Sequence, residues 1–169
     1  MYADLLFALI LYPLFFIFPA YCANGAPVLF GGGMPIDRGR KFRGKRIFGD
    51  HKTLKGLVAG ISAGIIIGFV ESLVPGYSFM LVVGAVQGVG AMFGDLVGSF
   101  IKRQRGLKEG SKGGLMDQYL FLIFALAISL PLGNFPDVLG ILFIAVLTGL
   151  LHKFTNMVAH RWKIKEVPW

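Results

Sequence analysis

Two aspartates and a set of lysines carry the chemistry most worth pursuing in this sequence. Asp95 sits in Gly94-Asp95-Leu96, inside a long apolar stretch. A carboxylate at membrane depth is costly and marks a functional site by default. Ser99 and Lys102 follow it by four and seven residues, so all three share one helix face. Arg103, Lys108 and Lys112 come next, and the basic stretch ends in Gly113-Gly114-Leu115-Met116-Asp117. Asp117 is placed to cap the helix that follows or to bind a metal together with Asp95. Two carboxylates, several bases and glycine-rich turns suit a magnesium-bound triphosphate: carboxylates hold Mg²⁺, while glycine N–H groups and cationic side chains take phosphate oxygens.

An earlier segment offers the same kind of donors. It runs from Asn24-Gly25-Ala26-Pro27 through Gly31-Gly32-Gly33 and Arg43-Gly44-Lys45-Arg46 to Asp50-His51-Lys52-Thr53-Leu54-Lys55-Gly56. It is not a P-loop, because the Gly-Lys-Ser/Thr ending after a strand is missing. Asp50 or Thr53 can cap the next helix and so place an anion-friendly helix end beside Lys52 and Lys55. A disordered basic loop would have a similar composition.

The elements that must position these residues are membrane spans. Of 169 residues, 55% are hydrophobic and only 15% charged, where a soluble surface needs roughly a quarter or more. Five apolar segments stand out, at about 5–23, 57–74, 77–101, 119–135 and 138–152. The first three reach the roughly 20 residues that a bilayer requires. The last two are shorter and read as a helical hairpin, or as a re-entrant pair, around Gly133-Asn134-Phe135-Pro136-Asp137. The first lacks the basic start of a signal peptide, and Pro13 and Pro19 should kink it or end it early. The expectation is an all-α integral membrane protein of five transmembrane helices in a single domain, with loops at about 24–55 and 102–118.

Charge orients this arrangement. Of the 17 Lys and Arg, eight fall between the first two spans, five between the third and fourth, and four after the fifth. All therefore lie on one side, which the positive-inside rule makes cytoplasmic, with the N-terminus outside and the C-terminus inside. The net charge of +8 is then a property of that face and suits anionic membrane lipids; no motif for nucleic acid accompanies it. The single cysteine, Cys22, cannot form an intramolecular disulfide. Glycines 56, 60, 64 and 68, then 84 and 88, then 90, 94 and 98 recur every four residues. Such ridges let helices approach closely within one chain, or between two copies in a homodimer.

The Gly94-Asp95-Leu96 element with Ser99 and Lys102-Arg103, the following Gly113-Gly114-Leu115-Met116-Asp117, and His51-Lys52-Thr53-Leu54-Lys55-Gly56 together resemble the integral-membrane CTP:phosphatidate cytidylyltransferases. Size, span number and the long Gly/Arg loop are most similar to the archaeal branch of that superfamily, the CDP-archaeol synthases. The resemblance implies attack of an isoprenoid ether-lipid phosphate on CTP, with release of pyrophosphate, at a cytoplasm-facing site. It implies Asp95 and Asp117 on Mg²⁺, with Lys102, Arg103, Lys108 and Lys112 on phosphates. Arg43, Lys45, Lys52 and Lys55 would clamp the triphosphate or the lipid headgroup, with Ser99 beside them. Asn24, Asp50 and Thr53 would make cytosine, ribose or cap contacts. The chain departs from the bacterial and eukaryotic pattern where Gln118-Tyr119-Leu120 replaces Arg-x-Asp, and where Ser111-Lys112 precedes the paired glycines in place of a histidine-containing run. A third metal ligand is thereby open among a phosphate oxygen, water, Asp50 and Glu109. Other readings are a phosphatidate cytidylyltransferase acting on ester lipids, a small transporter and a structural membrane subunit. A transporter would more naturally show an internal repeat and polar breaks near the midplane, which this sequence lacks.

Overall fold

The computed structural model describes residues 2–111 and 113–164. Five helices are long and apolar enough to cross a membrane: α1 Tyr2–Phe30, α2 Leu54–Ser72, α3 Met80–Gln104, α4 Leu115–Leu132 and α5 Val138–Arg161. A short hairpin, β1 Lys41–Phe42 and β2 Lys45–Arg46, lies between α1 and α2. The last turn of α4, Leu130–Leu132, tightens to a 3-10 geometry.

Helix α1 is longer than its prolines suggest. Its turn at Phe7–Leu11 is a π-helix, and the helix then runs unbroken past Pro13, Pro19 and Pro27 to Phe30. A proline ring crowds the carbonyl four residues before it. For Pro13 that residue is Leu9, which lies inside the widened turn. Asn24 to Pro27 are therefore helical rather than the start of a loop, and the connecting segment begins at Gly31. Within a membrane, neighbouring helices can satisfy the backbone groups that proline and glycine release. The last two spans are also longer at their basic ends than hydropathy alone indicates. Helix α4 starts at Leu115 behind its N-cap Gly114, and α5 continues to Arg161.

Helix α3 is the centre of the bundle. Half of its most apolar window is buried, against 17% for α5. The glycine ridges explain how. A Cβ at Gly64 would lie 2.7 Å from Gly88 Cα and 2.8 Å from the Gly84 carbonyl, and one at Gly84 would lie 2.6 Å from Gly68 Cα. The α2 and α3 backbones thus touch directly. On another face of α3, a Cβ at Gly90 would meet the Phe124 carbonyl at 2.8 Å and one at Gly94 would meet Phe121 Cα at 2.9 Å, both on α4. These ridges are engaged within the chain. Ile17, Ala20 and Ala23 of α1, Ala91 of α3, Phe121, Leu122 and Ala125 of α4 and Ile144 of α5 form the main core. Gln87 is fully buried and donates through Nε2 to the Phe16 carbonyl at 2.9 Å, tying α3 to α1. Tyr21 and Thr148 join α1 to α5 through a 2.7 Å hydroxyl pair. Outward positions such as Val58, Ile66, Phe69, Val146 and Leu150 are exposed and apolar, as a lipid-facing surface requires.

Gly84→Ala should lower stability by roughly 1–3 kcal/mol through overpacking against α2. Gly25→Ala, where a Cβ meets nothing within 4 Å, should be neutral or slightly stabilising. Unfolding midpoints of the detergent-solubilised variants check both.

Candidate active site

The site is assembled at the end of α3 that carries the two long connections. Asp95, Ser99 and Lys102 line one face of α3, Ser99 being buried and the other two partly so. Lys52 comes from the segment before α2 and donates from Nζ to both Asp95 oxygens, at 2.8 and 2.6 Å. Further along the same face of α3, Lys102 reaches across to Asp117 near the start of α4, at 2.6 Å. Each carboxylate therefore faces an ammonium group supplied by a different element. Asp117 also accepts the Gly113 N–H at 2.6 Å. Gly114, with φ of 64°, holds the N-cap position of α4, and Asp117 sits in the first turn, where the helix dipole favours a negative charge.

The first connection is folded. Thr53 caps α2 by accepting the Gly56 N–H at 3.1 Å. The backbone at 34–36 lies antiparallel to that at 52–54, with Ile36 N donating to the Lys52 carbonyl at 2.8 Å and Leu54 N to the Met34 carbonyl at 3.1 Å. The fold of this segment turns on Asp37, a residue that its place in the sequence does not mark as a site. Asp37 is 4% exposed and accepts N–H groups from Gly39, Phe48 and Gly49, together with the Arg46 guanidinium. Burial alone would raise the pKa of Asp37, but Arg46 and the three backbone donors outweigh it and hold the carboxyl well below its usual range. Arg46 also pairs with Asp50 at 2.7 Å, and both acids stabilise its charged form. The signal available in the sequence is Asp37-Arg38-Gly39. An Asx turn places a glycine two residues on, here at φ of 79°.

The second connection is laced to the first. Glu109 accepts the Asp50 N–H at 2.9 Å and lies 3.6 Å from His51 Nε2. Lys45 Nζ donates to the Gln104 carbonyl at 2.6 Å, and Gln104 Nε2 donates to the Arg46 carbonyl at 3.3 Å. Phe42 of the hairpin packs on Phe100 of α3, with ring centroids 5.8 Å apart.

Of the residues singled out from sequence, the structure gathers Asp95, Ser99, Lys102, Asp117, Lys52 and Thr53 at this end of α3. Asp50 and Lys45 serve the contacts between the two connections. Arg103 is buried and donates from Nη2 to the Lys108 carbonyl at 3.0 Å, which shapes the turn after α3, while Lys108 itself is exposed. Arg43 stands at the exposed hairpin tip, its guanidinium 5.4 Å from the Phe42 ring centroid. Asn24 lies apart, within α1, lining a cavity of about 540 Å³ with Tyr21, Thr148 and His152. Lys55 lies along a separate groove of about 610 Å³ between α1 and α2, walled by Ala26, Phe30, Val58, Ala59 and Ile66. Lys112 falls outside the described residues.

The architecture and this arrangement of acids and lysines match a known group. Residues 6–169 fit the family model described as CarS-like, CDP-archaeol synthase. The chain belongs to the CDP-archaeol synthase family. It is 46% identical over 160 residues to the CDP-archaeol synthase of Pyrococcus abyssi, covering 91% of this chain and 95% of that one. It is 42% identical over 158 residues to that of Methanopyrus kandleri, covering 92% and 91%. A solved structure described as "Structural insight into an intramembrane enzyme for archaeal membrane lipids biosynthesis" aligns with a TM-score of 0.82 and 37% identity, over 87% of this chain and 94% of that one. This family member is accordingly a membrane nucleotidyltransferase of the CDP-archaeol synthase type.

Asp37 supplies a pH test of the folded loop. A depressed folded pKa contributes stability in full above the unfolded value, near 4, and loses it progressively as pH falls toward the folded value. Asp37→Asn should therefore lower the unfolding midpoint at pH 7, and the gap to the parent protein should narrow below about pH 4. Midpoints measured for both proteins at pH 7, 5 and 3 check this.

Proposed function

We propose that this protein is the CTP-dependent cytidylyltransferase that activates 2,3-bis-O-geranylgeranylglycerol 1-phosphate, acting from the cytoplasmic face of the cell membrane. A phosphate oxygen of the lipid attacks the α-phosphorus of CTP. The bond from that phosphorus to the oxygen bridging to the β-phosphate breaks, pyrophosphate leaves, and the CDP-lipid forms. The attacking phosphomonoester is already anionic near neutral pH, so the reaction depends on positioning and charge stabilisation rather than on a strong base. The observation that carries this reading is the pair of lysine–carboxylate contacts on one face of α3. Lys52 and Lys102 are the ammonium groups that meet the two acids, and both can move onto phosphate oxygens.

The donor chemistry at Asp95 and Asp117 fits Mg²⁺, which is commonly held by one or two carboxylates plus substrate phosphates rather than by a full protein cage. These two residues would hold the ion, which would neutralise charge on the phosphoryl oxygens. Lys52, Lys102 and the glycine-rich turn at Gly113 would orient the triphosphate. Lys55, at the wall of the apolar groove between α1 and α2, would meet the lipid phosphate while the isoprenoid tails lie against Val58, Ala59 and Ile66. The cytoplasmic orientation is supported by the gathering of all Lys and Arg on one side of five spans.

Purified protein in detergent, given CTP, Mg²⁺ and the unsaturated ether-lipid phosphate, should release pyrophosphate and form the CDP-lipid. Phosphatidic acid and the other nucleoside triphosphates run alongside rank the substrates. Asp95→Asn and Asp117→Asn should each reduce turnover by about 100-fold or more in folded protein, and retained turnover in both would refute the site. Lys55→Met should raise KM for the lipid phosphate and leave KM for CTP unchanged.

A further inference from the structure

The chemistry just described makes no use of the most heavily hydrogen-bonded acid among the described residues. Asp37 touches none of the residues assigned to substrate, yet the chain it organises leads directly to one of them. Its carboxylate takes the Gly49 N–H at 3.1 Å and the Phe48 N–H at 2.9 Å. The Gly49 carbonyl accepts the Lys52 N–H at 3.3 Å, and Ile36, the residue beside Asp37, donates its N–H to the Lys52 carbonyl at 2.8 Å. Both backbone groups of Lys52 are thus held by residues bonded or adjacent to Asp37. Arg46 closes the same loop from the other side, bridging Asp37 and Asp50, each at 2.7 Å. From this fixed origin the Lys52 side chain reaches both oxygens of Asp95. A lysine has a flexible four-carbon stem, so where its ammonium stands depends on how firmly its backbone is set.

We propose that Asp37 is a positioning residue for the reaction, whose buried carboxylate fixes the backbone of Lys52 and thereby the place of the Lys52 ammonium against Asp95 and the incoming phosphate. This rests on the assignment of Lys52 to the triphosphate. Asparagine cannot take over the role. Its amide has one acceptor oxygen and would turn an N–H₂ toward backbone donors or toward Arg46, leaving buried N–H groups unpaired.

The test is a double-mutant cycle on the full chain in detergent micelles, with CTP and the ether-lipid phosphate, among Asp37→Asn, Lys52→Met and the double variant. Asp37→Asn should lower kcat/KM for CTP by roughly 10- to 100-fold and leave KM for the lipid unchanged. Because Asp37 acts through Lys52, the double variant should fall within about threefold of Lys52→Met alone. A merely structural role would give losses that multiply, and that result overturns the proposal, as does full activity in Asp37→Asn. Full activity in Lys52→Met overturns both the proposal and the assignment beneath it. Losses in both single variants that multiply overturn the proposal alone. A readout independent of turnover is acylation of the Lys52 amine in substrate-free protein, followed by mass spectrometry. Labelling should be faster in Asp37→Asn than in the parent, and an unchanged rate counts against the proposal. If Asp37→Asn does not fold, Arg46→Gln, which leaves the three backbone donors on Asp37, carries the same cycle at smaller amplitude.

Discussion

Direct backbone contact between helices, made possible by glycine, is the constraint from which the rest of this protein follows. Helix α3 meets α2 through Gly64, Gly68, Gly84 and Gly88, and meets α4 through Gly90 and Gly94. Hydrophobic burial cannot drive helix association in lipid, where the solvent is as apolar as the side chains, so close packing has to supply the attraction. Two faces of α3 are used up in this way. The face carrying Asp95, Ser99 and Lys102 is left to be met by Lys52 from the first connection and by Asp117 from the first turn of α4. A carboxylate there is tolerated because Lys52 stands against it, and the second acid is tolerated because Lys102 does the same.

The connections behave as a small polar domain attached to a membrane bundle. Asp37 is the interior of that domain, with a charged group and its donors in place of an apolar core. The Glu109, Gln104 and Lys45 contacts join the first connection to the end of α3 and to the second connection across 58 and 59 residues of sequence. The geometry of the acids and lysines is therefore the product of two unlike forces. Glycine packing sets the acids on α3 and α4, and buried hydrogen bonding sets the lysine that comes from before α2. Beside them, the small side chains of α1 and α2 leave an apolar groove with Lys55 among its lining residues.

Much of this is legible in one dimension. Hydropathy shows five spans, and four-residue glycine spacing shows packing ridges. Asp95 is conspicuous because an acid within an apolar run needs a reason. The span ends are less legible. Proline in α1 reads as a terminator, yet a π-turn precedes Pro13 and the helix continues through Pro19 and Pro27, so Asn24 is part of a helix and lies away from the acids. Asp37 is inconspicuous because its importance depends on donors from residues 39, 46, 48 and 49 that converge only after the chain has turned. In sequence it is an ordinary turn aspartate.

Residue type and spacing by themselves determined that the chain has five segments long and apolar enough to cross a membrane, that its Lys and Arg collect at and after the ends of the first, third and fifth of them, and that two acids lie near those lysines. These are consequences of transfer free energy and helical periodicity, which act locally. Only the tertiary structure decided which lysine meets which acid, that Arg103 serves a turn while Lys52 serves Asp95, and that the first connection is folded around a buried carboxylate. Such choices depend on distances between segments remote in sequence, and those distances are set by backbone packing and by the need to pair every buried polar group.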